Sequence, residues 1–237
     1  VDSGQVDLPS GTRFGIVGQD VALYADLTVR QNMAFFARLY GLHGRTLNQR
    51  VETVIDELAL APFANHMARQ LSGGWQRRLH LAIALVHQPD WLILDEPTAS
   101  VDLQARHALW ELFRRLRDRG VGLLLTTHHL DEAEELCDHI GLLRNGRLVA
   151  EGDCLALIAR VPARSVARVE AADTAALHRR AEEHGWLVRE DAGSTNLLLP
   201  DFPELGVLAQ RLDGIGLRSL SVQKVGLEHA YCELMAD

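Results

Sequence analysis

The sequence contains 237 residues, of which 47% are hydrophobic and 24% are charged, a composition that excludes an intrinsically disordered chain. Acidic residues outnumber basic ones by 32 to 24, giving a net charge of −8 that argues against a general nucleic-acid binder. The longest apolar runs, such as residues 121–125, are too short to cross a bilayer. We therefore expect a folded chain with no membrane-spanning helix and no nucleic-acid partner.

Residues 1–158 alternate apolar runs with helical patterns, which predicts an α/β domain built on a mostly parallel sheet. A hydroxyl three residues before an amide, Thr28 and Gln31, forms a capping box that begins a helix. Further helices are expected at about 47–60, 72–86 and 109–116, and Asn145-Gly146 predicts a hairpin turn. Strands are predicted at Phe14–Val17, Trp91–Leu94 and Val121–Thr127, and we expect the last two to be buried on both faces.

The character of the sequence changes near Pro162. From there the pattern predicts strand, helix, strand, strand, helix, strand and a final helix, separated by glycines and a proline. We therefore expect a small accessory α+β domain at residues 163–237, after a larger domain at residues 1–158.

The segment from Leu71 to Leu79 is the most specific in the sequence. Ser72 can begin a helix, and Gly73 and Gly74 allow backbone N–H groups to approach a ligand closely. Exposed amides and a hydroxyl at a helix N-terminus form a phosphate site. The alternative at this point is a helix start that merely contains glycines.

An apolar strand, Trp91–Leu94, leads directly into Asp95 and Glu96. Carboxylates at the end of a buried strand are typical of Mg²⁺–nucleotide sites, so Asp95 is the candidate metal ligand. Glu96 would orient or deprotonate the attacking water, and His128 follows a second apolar strand and could reach the same phosphate. A solvated acidic strand end is the weaker alternative.

A metal cluster of His128, His129, Asp131 and Glu132 is a further possibility that we reject, because their spacing does not bring four ligands to one helix face. Gln19 follows the first strand and means little alone. Its position ahead of the other motifs is what makes it a candidate.

Together these motifs resemble the nucleotide-binding subunit of ABC transporters, in the right order and over nearly the whole chain. Leu71–Gly74 is similar to the ABC signature, Leu92–Glu96 to Walker B, and Ser100–Asp102 to the D-loop. Gln19 is similar to the Q-loop glutamine and His128 to the switch histidine. Trp75 stands where many members have Gln, and with the segment after Gln19 it resembles the branch that exports drugs, lipids or polysaccharides. The tail Gly226–Tyr231 is similar to that branch's C-terminal extension, with His229 in place of the usual acid.

The resemblance implies an ABC-type nucleotide-binding domain, with a parallel-sheet P-loop core and a helical subdomain, that binds ATP and Mg²⁺. It implies that two such subunits, identical or different, close head to tail around two ATP molecules. The cofactor-binding residues would then include the signature residues that face the partner's ATP and the D-loop residue that links the two sites: Leu71, Ser72, Gly73, Gly74, Trp75 and Asp102.

Within the subunit's own site, the resemblance assigns catalysis to Glu96, His128 and Gln19, and the metal to Asp95 and Gln19. The surface at Gln19–Thr28 would receive a transmembrane permease subunit. The protein would then lie peripherally on the cytoplasmic face of the cell membrane and drive export.

One family motif is missing from the sequence. The family needs Gly-x-x-x-x-Gly-Lys-Ser/Thr to cradle the phosphates, and the single lysine here is Lys224. We expect an N-terminally truncated copy of an intact ATPase, inactive alone; the alternative is a degenerate partner that supplies only its signature and hydrolyses nothing.

Two other classes stay open. A soluble ABC ATPase outside transport would share the signature and Walker B, but would usually carry two such domains or long heptad arms. A binding role for the region from Arg164 onward, in sensing a ligand or holding a dimer, is the other.

Overall fold

The computed structural model describes residues 4–99, 101–191 and 194–235. The chain divides into two compact units, residues 1–132 and 133–237. This division falls within the helix Leu130–Leu136 (α5). The domain boundary predicted between residues 158 and 163 stays a prediction.

The first unit alternates strands and helices, as predicted for an α/β domain. In chain order its elements are β1 (Phe14–Val17), α1 (Val29–Leu39), α2 (Gly44–Glu57), two 3₁₀ turns (Ala61–Phe63 and Ala68–Gln70), α3 (Gly73–Leu85), β2 (Trp91–Asp95), α4 (Leu103–Asp118) and β3 (Gly122–Thr126).

The three described strands of this unit form one parallel sheet in the order β1-β2-β3. One face is covered, and Val17, Leu92 and Leu94 are at most 1% exposed on it. Gly15 also lies on this face, and the position requires glycine because a Cβ would come within 2.3 Å of the Ala84 carbonyl oxygen on α3. Strand and helix therefore meet in close contact.

The opposite face of the sheet corrects one sequence prediction. Trp91 and Leu124 are 39% and 55% exposed, and Ile16 on β1 is 62% exposed. The prediction that β2 and β3 are buried on both faces is therefore wrong for the described chain. Burial alternates along each strand because successive side chains point to opposite faces and the described helices cover only one of them.

The helix α1 begins as predicted. The Thr28 hydroxyl accepts a hydrogen bond from the Gln31 N–H, and the Gln31 side chain accepts one from the Thr28 N–H, which confirms the capping box. The next helix, α2, begins at Gly44 and ends at Glu57, three residues earlier at each end than predicted. Gly44 has φ of +55°, a conformation that suits glycine at the start of this helix.

The second unit opens with an antiparallel hairpin, β4 (Ile140–Arg144) and β5 (Arg147–Gly152), followed by α6 (Cys154–Ile158). Asn145 and Gly146 have φ of +50° and +74°. Two consecutive positive φ values are the signature of the tight turn that matches strand twist, so the predicted hairpin is confirmed.

The remaining elements follow the predicted order of strands and helices throughout. They are β6 (Ser165–Ala171), α7 (Thr174–Glu183), β7 (Leu187–Asp191), β8 (Ser194–Leu199), α8 (Leu205–Arg211), β9 (Leu217–Lys224) and α9 (Leu227–Met235). The strands form an antiparallel sheet in the order β7-β8-β6-β9, which is the split βαβ arrangement. Helices α7 and α8 pack on one face of this sheet, and α9 packs on the other.

Within the described ranges, no helix combines the length and the apolarity needed to cross a membrane.

A buried histidine makes the stability of the first unit depend on pH. His80 on α3 is 7% exposed, and burial, with a smaller effect from the charge of Arg77, lowers its pKa to about 4. The unfolded chain takes up this proton near its ordinary pKa of 6.5. Because the unfolded state then binds more protons, stability is lost as the pH falls through this window.

We expect the free energy of unfolding to fall between about pH 7 and pH 5, with His80 contributing about 2 kcal/mol of the loss. In a His80→Leu variant that contribution should vanish, as measured by urea denaturation at both pH values. The matched control, His139→Leu, replaces an exposed histidine. An equal change in both variants would contradict the assignment to His80.

Candidate functional site

The carboxyl ends of the three parallel strands carry the polar residues of the candidate site. Asp95 ends β2 and lies opposite Thr126, which ends β3. The Thr126 hydroxyl donates a short hydrogen bond to Asp95 Oδ1. Ligands bind at this edge of open parallel sheets, so the register of the strands places these groups where a ligand would meet them.

Glu96 leaves the end of β2 in a strained backbone conformation. Its φ is +44°, in the left-handed region that costs most residues free energy and recurs at functional sites. The Glu96 N–H donates to the Thr126 carbonyl oxygen at 3.0 Å, which holds the turn against the neighbouring strand.

The three predicted catalytic residues come together around one carboxylate. Gln19 Nε2 donates to Glu96 Oε2 at 3.3 Å, and His128 Nδ1 lies 3.1 Å from Glu96 Oε1. The Glu96 side chain is 29% exposed and that of His128 is 62% exposed. The carboxylate is therefore fixed on both sides yet still open to solvent.

The donor set fits a magnesium ion. Asp95 presents an exposed carboxylate, and Gln19 uses its amide nitrogen on Glu96, so its amide oxygen is directed elsewhere. Hard cations such as Mg²⁺ prefer oxygen ligands and usually take one or two from the protein and the rest from phosphates and water. In the ranges that the structure describes, no cluster of three or more His, Cys, Asp or Glu side chains could hold a metal by itself.

The predicted phosphate-binding segment lies at the start of α3. Ser72 occupies the N-cap position, but its side chain makes no capping hydrogen bond. Ser72 and Gly73 are exposed, whereas Leu71 is 7% exposed, so its side chain packs into the protein. The hydroxyl and the first helical amides are consequently available to a ligand.

Trp75 and Asp102 lie beside this helix start. A cavity of about 280 Å³ is lined by Ser72, Gly74, Trp75 and Asp102, among other residues. The Trp75 ring packs 4.5 Å from that of Phe63. Asp102 caps α4 by accepting a hydrogen bond from the Ala105 N–H at 2.9 Å. Ser100, the first residue of the predicted D-loop, lies outside the described residues.

The site residues therefore form two groups. One surrounds Glu96 at the strand ends, and the other surrounds Ser72 at the start of α3. Sequence reasoning found the members of both groups and missed the residue that connects their supporting loops.

That residue is Arg77, on the second turn of α3. Its guanidinium donates five hydrogen bonds to backbone carbonyl oxygens at the ends of two strands. The acceptors are Gly18 at 2.6 Å, Gln19 at 3.1 Å, Asp95 at 2.8 Å, Glu96 at 2.8 Å and Pro97 at 3.0 Å. Each of the five N–H donors of an arginine can serve one such acceptor, so one side chain fixes both loops to α3.

Arg77 is only 5% exposed. Burial lowers its pKa below the usual value, and the carboxylates of Asp95, Glu132 and Glu96 oppose that shift. Glu132 is fully buried and accepts a hydrogen bond from the Trp110 indole at 3.0 Å. The carboxylate of Glu132 thus favours the charged form of Arg77.

Only a weak signal in the sequence could have pointed to Arg77. It stands next to Arg78 in a helix whose apolar spacing suggests a buried side and a solvated side. Because α3 is buried on most of its surface, an arginine that reads as solvent-facing lies inside.

Comparisons with known proteins relate this chain to ATP-binding proteins of transporters. Residues 4–99 match the family model described as ABC transporter. Over 147 residues the chain is 44% identical to Nod factor export ATP-binding protein I of Sinorhizobium fredii, covering 62% of this chain and 43% of that protein. Over 138 residues it is 42% identical to the probable multidrug ABC transporter ATP-binding protein YbhF of Escherichia coli, covering 58% and 24%. The chain thus spans less than half the length of either relative.

Among solved structures, the fold is similar to the dimeric post-hydrolysis state of the ATP-binding cassette MJ0796 bound to ADP and Pi. The TM-score is 0.54 at 27% identity, and the match covers 60% of this chain and 63% of that chain. The predicted α/β fold class is confirmed by this likeness.

Replacing Arg77 tests its role as the tie between the two loops. Arg77→Met keeps the apolar stem and removes the arginine donor from five backbone carbonyl groups. We expect the free energy of unfolding to fall by about 3–5 kcal/mol. Amide hydrogen exchange should also accelerate in peptides containing residues 17–20 and 94–98.

The matched control is Arg78→Met, because the Arg78 guanidinium contacts the Leu58 carbonyl oxygen at 3.4 Å and the Trp75 ring at 4.8 Å, and neither residue lies in the two loops. Urea denaturation and hydrogen-exchange mass spectrometry measure both effects. If amide hydrogen exchange in the two loops were equally fast in Arg77→Met and Arg78→Met, Arg77 would not be the residue that holds the loops to α3.

Proposed function

We propose that the chain is the ATP-binding and ATP-hydrolysing subunit of an export transporter, because residues 4–99 match the family model described as ABC transporter. It would couple hydrolysis to movement of a substrate through a separate membrane permease. The observation that carries the proposal is the Glu96 carboxylate held between Gln19 and His128 at the strand ends.

Glu96 has the position of a residue that orients and deprotonates an attacking water. Its two oxygens are each engaged by one neighbour, so the carboxylate cannot rotate freely, and solvent still reaches it. A general base must be within hydrogen-bond reach of the proton that it removes. A water on the open side of Glu96 meets that condition, and the exposed His128 would contact the terminal phosphate.

Asp95 and Gln19 would hold the magnesium ion that accompanies ATP. The ion supplies charge neutralisation to the phosphates when bound. The Thr126 hydroxyl, which donates to Asp95, orients that carboxylate, as outer-shell partners of metal ligands commonly do.

The start of α3 would serve the ATP of a second subunit. The Ser72 hydroxyl is not used to cap its own helix, and the exposed helix N-terminus favours negative charge. Trp75 and Asp102 share a cavity with Ser72. Ser72, Gly73 and Gly74 would therefore bind the γ-phosphate held by the partner in a head-to-tail dimer, whether the two subunits are identical or different.

A second candidate function follows from the single lysine of the sequence, Lys224. A phosphate-binding loop carries a lysine between its glycines and its hydroxyl residue, and none of the 237 residues supplies one in that setting. The chain would then act as a non-hydrolysing partner that offers only its signature. The contacts of Gln19 and His128 with Glu96 favour the hydrolysing function.

The surface at Gln19–Thr28 is our proposed docking site for the permease. Tyr24 is 50% exposed and rests on the rings of Phe35 and Phe36 at 4.7 and 5.9 Å. Fully buried Asn32 fixes the segment, since its side chain accepts a hydrogen bond from the Tyr24 N–H and donates to the Tyr24 and Leu27 carbonyl oxygens.

A groove of about 670 Å³ runs beside this segment between α1 and α2 and is lined in part by Leu27, Phe35 and Val51. Arg30, Arg38 and Glu52 also line this groove. Its mixture of apolar and charged side chains suits an amphipathic helix. Binding there would place the chain on the cytoplasmic face of the membrane, as a peripheral subunit without nucleic-acid contact. The names of the two relatives, which refer to export and to multidrug transport, support an export role.

The role of Glu96 can be tested by ATP hydrolysis in the assembled transporter in membranes. Glu96→Gln should lower turnover by about 10²–10⁴-fold while ATP still binds, because the amide cannot accept the proton of water. Ser72→Ala should lower turnover by about tenfold through loss of a hydrogen bond to phosphate. Glu111→Gln, at an exposed carboxylate on α4, is the matched control and should leave ATP turnover unchanged.

The two variants separate the two candidate functions. Loss of turnover in both supports the hydrolysing subunit. Loss in Ser72→Ala with normal turnover in Glu96→Gln would replace it with the non-hydrolysing partner. Normal turnover in both would remove the chain from ATP hydrolysis altogether.

The docking surface is tested by co-purification of the permease. Tyr24→Asp places a charge in the exposed aromatic cluster, so we expect recovery of the permease to fall by about tenfold, as for a residue at the centre of an interface. Tyr231→Asp, at a tyrosine that is 37% exposed in the second unit, is the control. Equal recovery with both variants would contradict docking at this surface.

A further inference from the structure

A cavity in the second unit has no part in the proposed function. It has a volume of about 310 Å³ and lies between α9 and one face of the antiparallel sheet. Residues that line it include Val166, Arg168, Asn196, Leu198 and His229. This volume is at the lower end of the range for sites that bind small molecules.

The register of the sheet builds one wall of this cavity from polar side chains. Asn196 on β8 pairs directly with Arg168 on β6 and, on its other side, with Arg189 on β7. Arg168 in turn pairs with Ser221 on β9. Directly opposed residues point to the same face of a sheet, so these four side chains form one cross-strand row, of which Arg189, Asn196 and Arg168 line the cavity.

Two of the five charged side chains that line the cavity neutralise each other. The Arg189 guanidinium binds both carboxylate oxygens of Glu233 on α9, at 2.6 and 2.9 Å. Those two bonds raise the pKa of Arg189 and fix α9 beside the polar row. Glu190 accepts from the Thr195 hydroxyl at 3.2 Å.

Glu228 lies at the rim with its side chain 64% exposed, and it accepts a hydrogen bond from the Gln223 amide at 3.2 Å. Water therefore screens the charge of this carboxylate.

Arg168 is the basic group of the lining that forms no ion pair with the described residues, whereas Arg189 is paired with Glu233. Its Nε donates to the Ser194 hydroxyl at 2.9 Å, which orients the guanidinium but leaves its two terminal nitrogens uncommitted to described residues. The side-chain amide of Asn196, the next group in the row, likewise has no hydrogen bond within the described ranges. An uncommitted guanidinium beside an uncommitted amide matches the geometry of a carboxylate or phosphate group.

We propose that this cavity binds a small organic anion. Its carboxylate or phosphate group would accept hydrogen bonds from Arg168 and Asn196, and its apolar part would lie against Val166 and Leu198. The second unit would then be a ligand-binding module, independent of the nucleotide site in the first unit.

The test uses the full chain and isothermal titration with two probes, succinate for carboxylates and inorganic phosphate for phosphorylated compounds. We expect saturable binding of at least one probe at one site. Arg168→Gln should weaken it by about tenfold or more, since a charge-assisted pair of hydrogen bonds is lost. Asn196→Ala should weaken it by a few-fold and provides a second variant should Arg168→Gln alter folding, which melting temperatures would reveal.

Arg179→Gln is the matched control, because Arg179 is an exposed arginine on α7, which packs on the other face of the sheet. Binding of succinate alone would identify a carboxylate ligand, and binding of phosphate alone a phosphorylated one. The proposal is overturned if neither probe binds up to about 10 mM, or if Arg168→Gln and Arg179→Gln bind equally well.

Discussion

One buried guanidinium holds the proposed active site together. Arg77 donates to carbonyl oxygens that follow β1 and β2, so the segment with Gln19 and the turn with Glu96 are fixed to the same helix. The helix that begins with the proposed partner-facing phosphate site is thus the helix that orients the subunit's own catalytic loops. A shift of α3 on binding a partner's ATP would therefore move both loops.

The strand register explains why the proposed catalytic residues meet. Parallel pairing sets Asp95 opposite Thr126, and the chain then turns at Glu96 in a left-handed conformation stabilised by a hydrogen bond to the neighbouring strand. The free-energy cost of that strained turn is offset by the hydrogen bond to β3 on one side and by the hydrogen bonds from Arg77 on the other. The result is a carboxylate held between Gln19 and His128 without being withdrawn from solvent.

Local patterns in the sequence predicted much of this structure. Three features that depend on neighbouring residues are confirmed: the capping box at Thr28, the turn at Asn145-Gly146 and the element order of the second unit. Two features escaped because they depend on packing between distant segments. Leu124 lies on the exposed face of the sheet, although its place in a run of leucines predicts a buried residue. Arg77 is buried, although its place in the helix predicts a solvent-exposed residue. The motifs around Glu96 indicated the candidate site residues but not the contacts that bind them together.

The most direct test of the account is an experimental structure of the assembled transporter with a non-hydrolysable ATP analogue and Mg²⁺. We predict that the γ-phosphate lies within hydrogen-bond reach of His128, with the metal beside Asp95 and Gln19. Ser72 of this subunit should contact the nucleotide bound by its partner. A nucleotide bound away from the ends of β1, β2 and β3, with neither group of residues in contact with phosphate, would contradict the account.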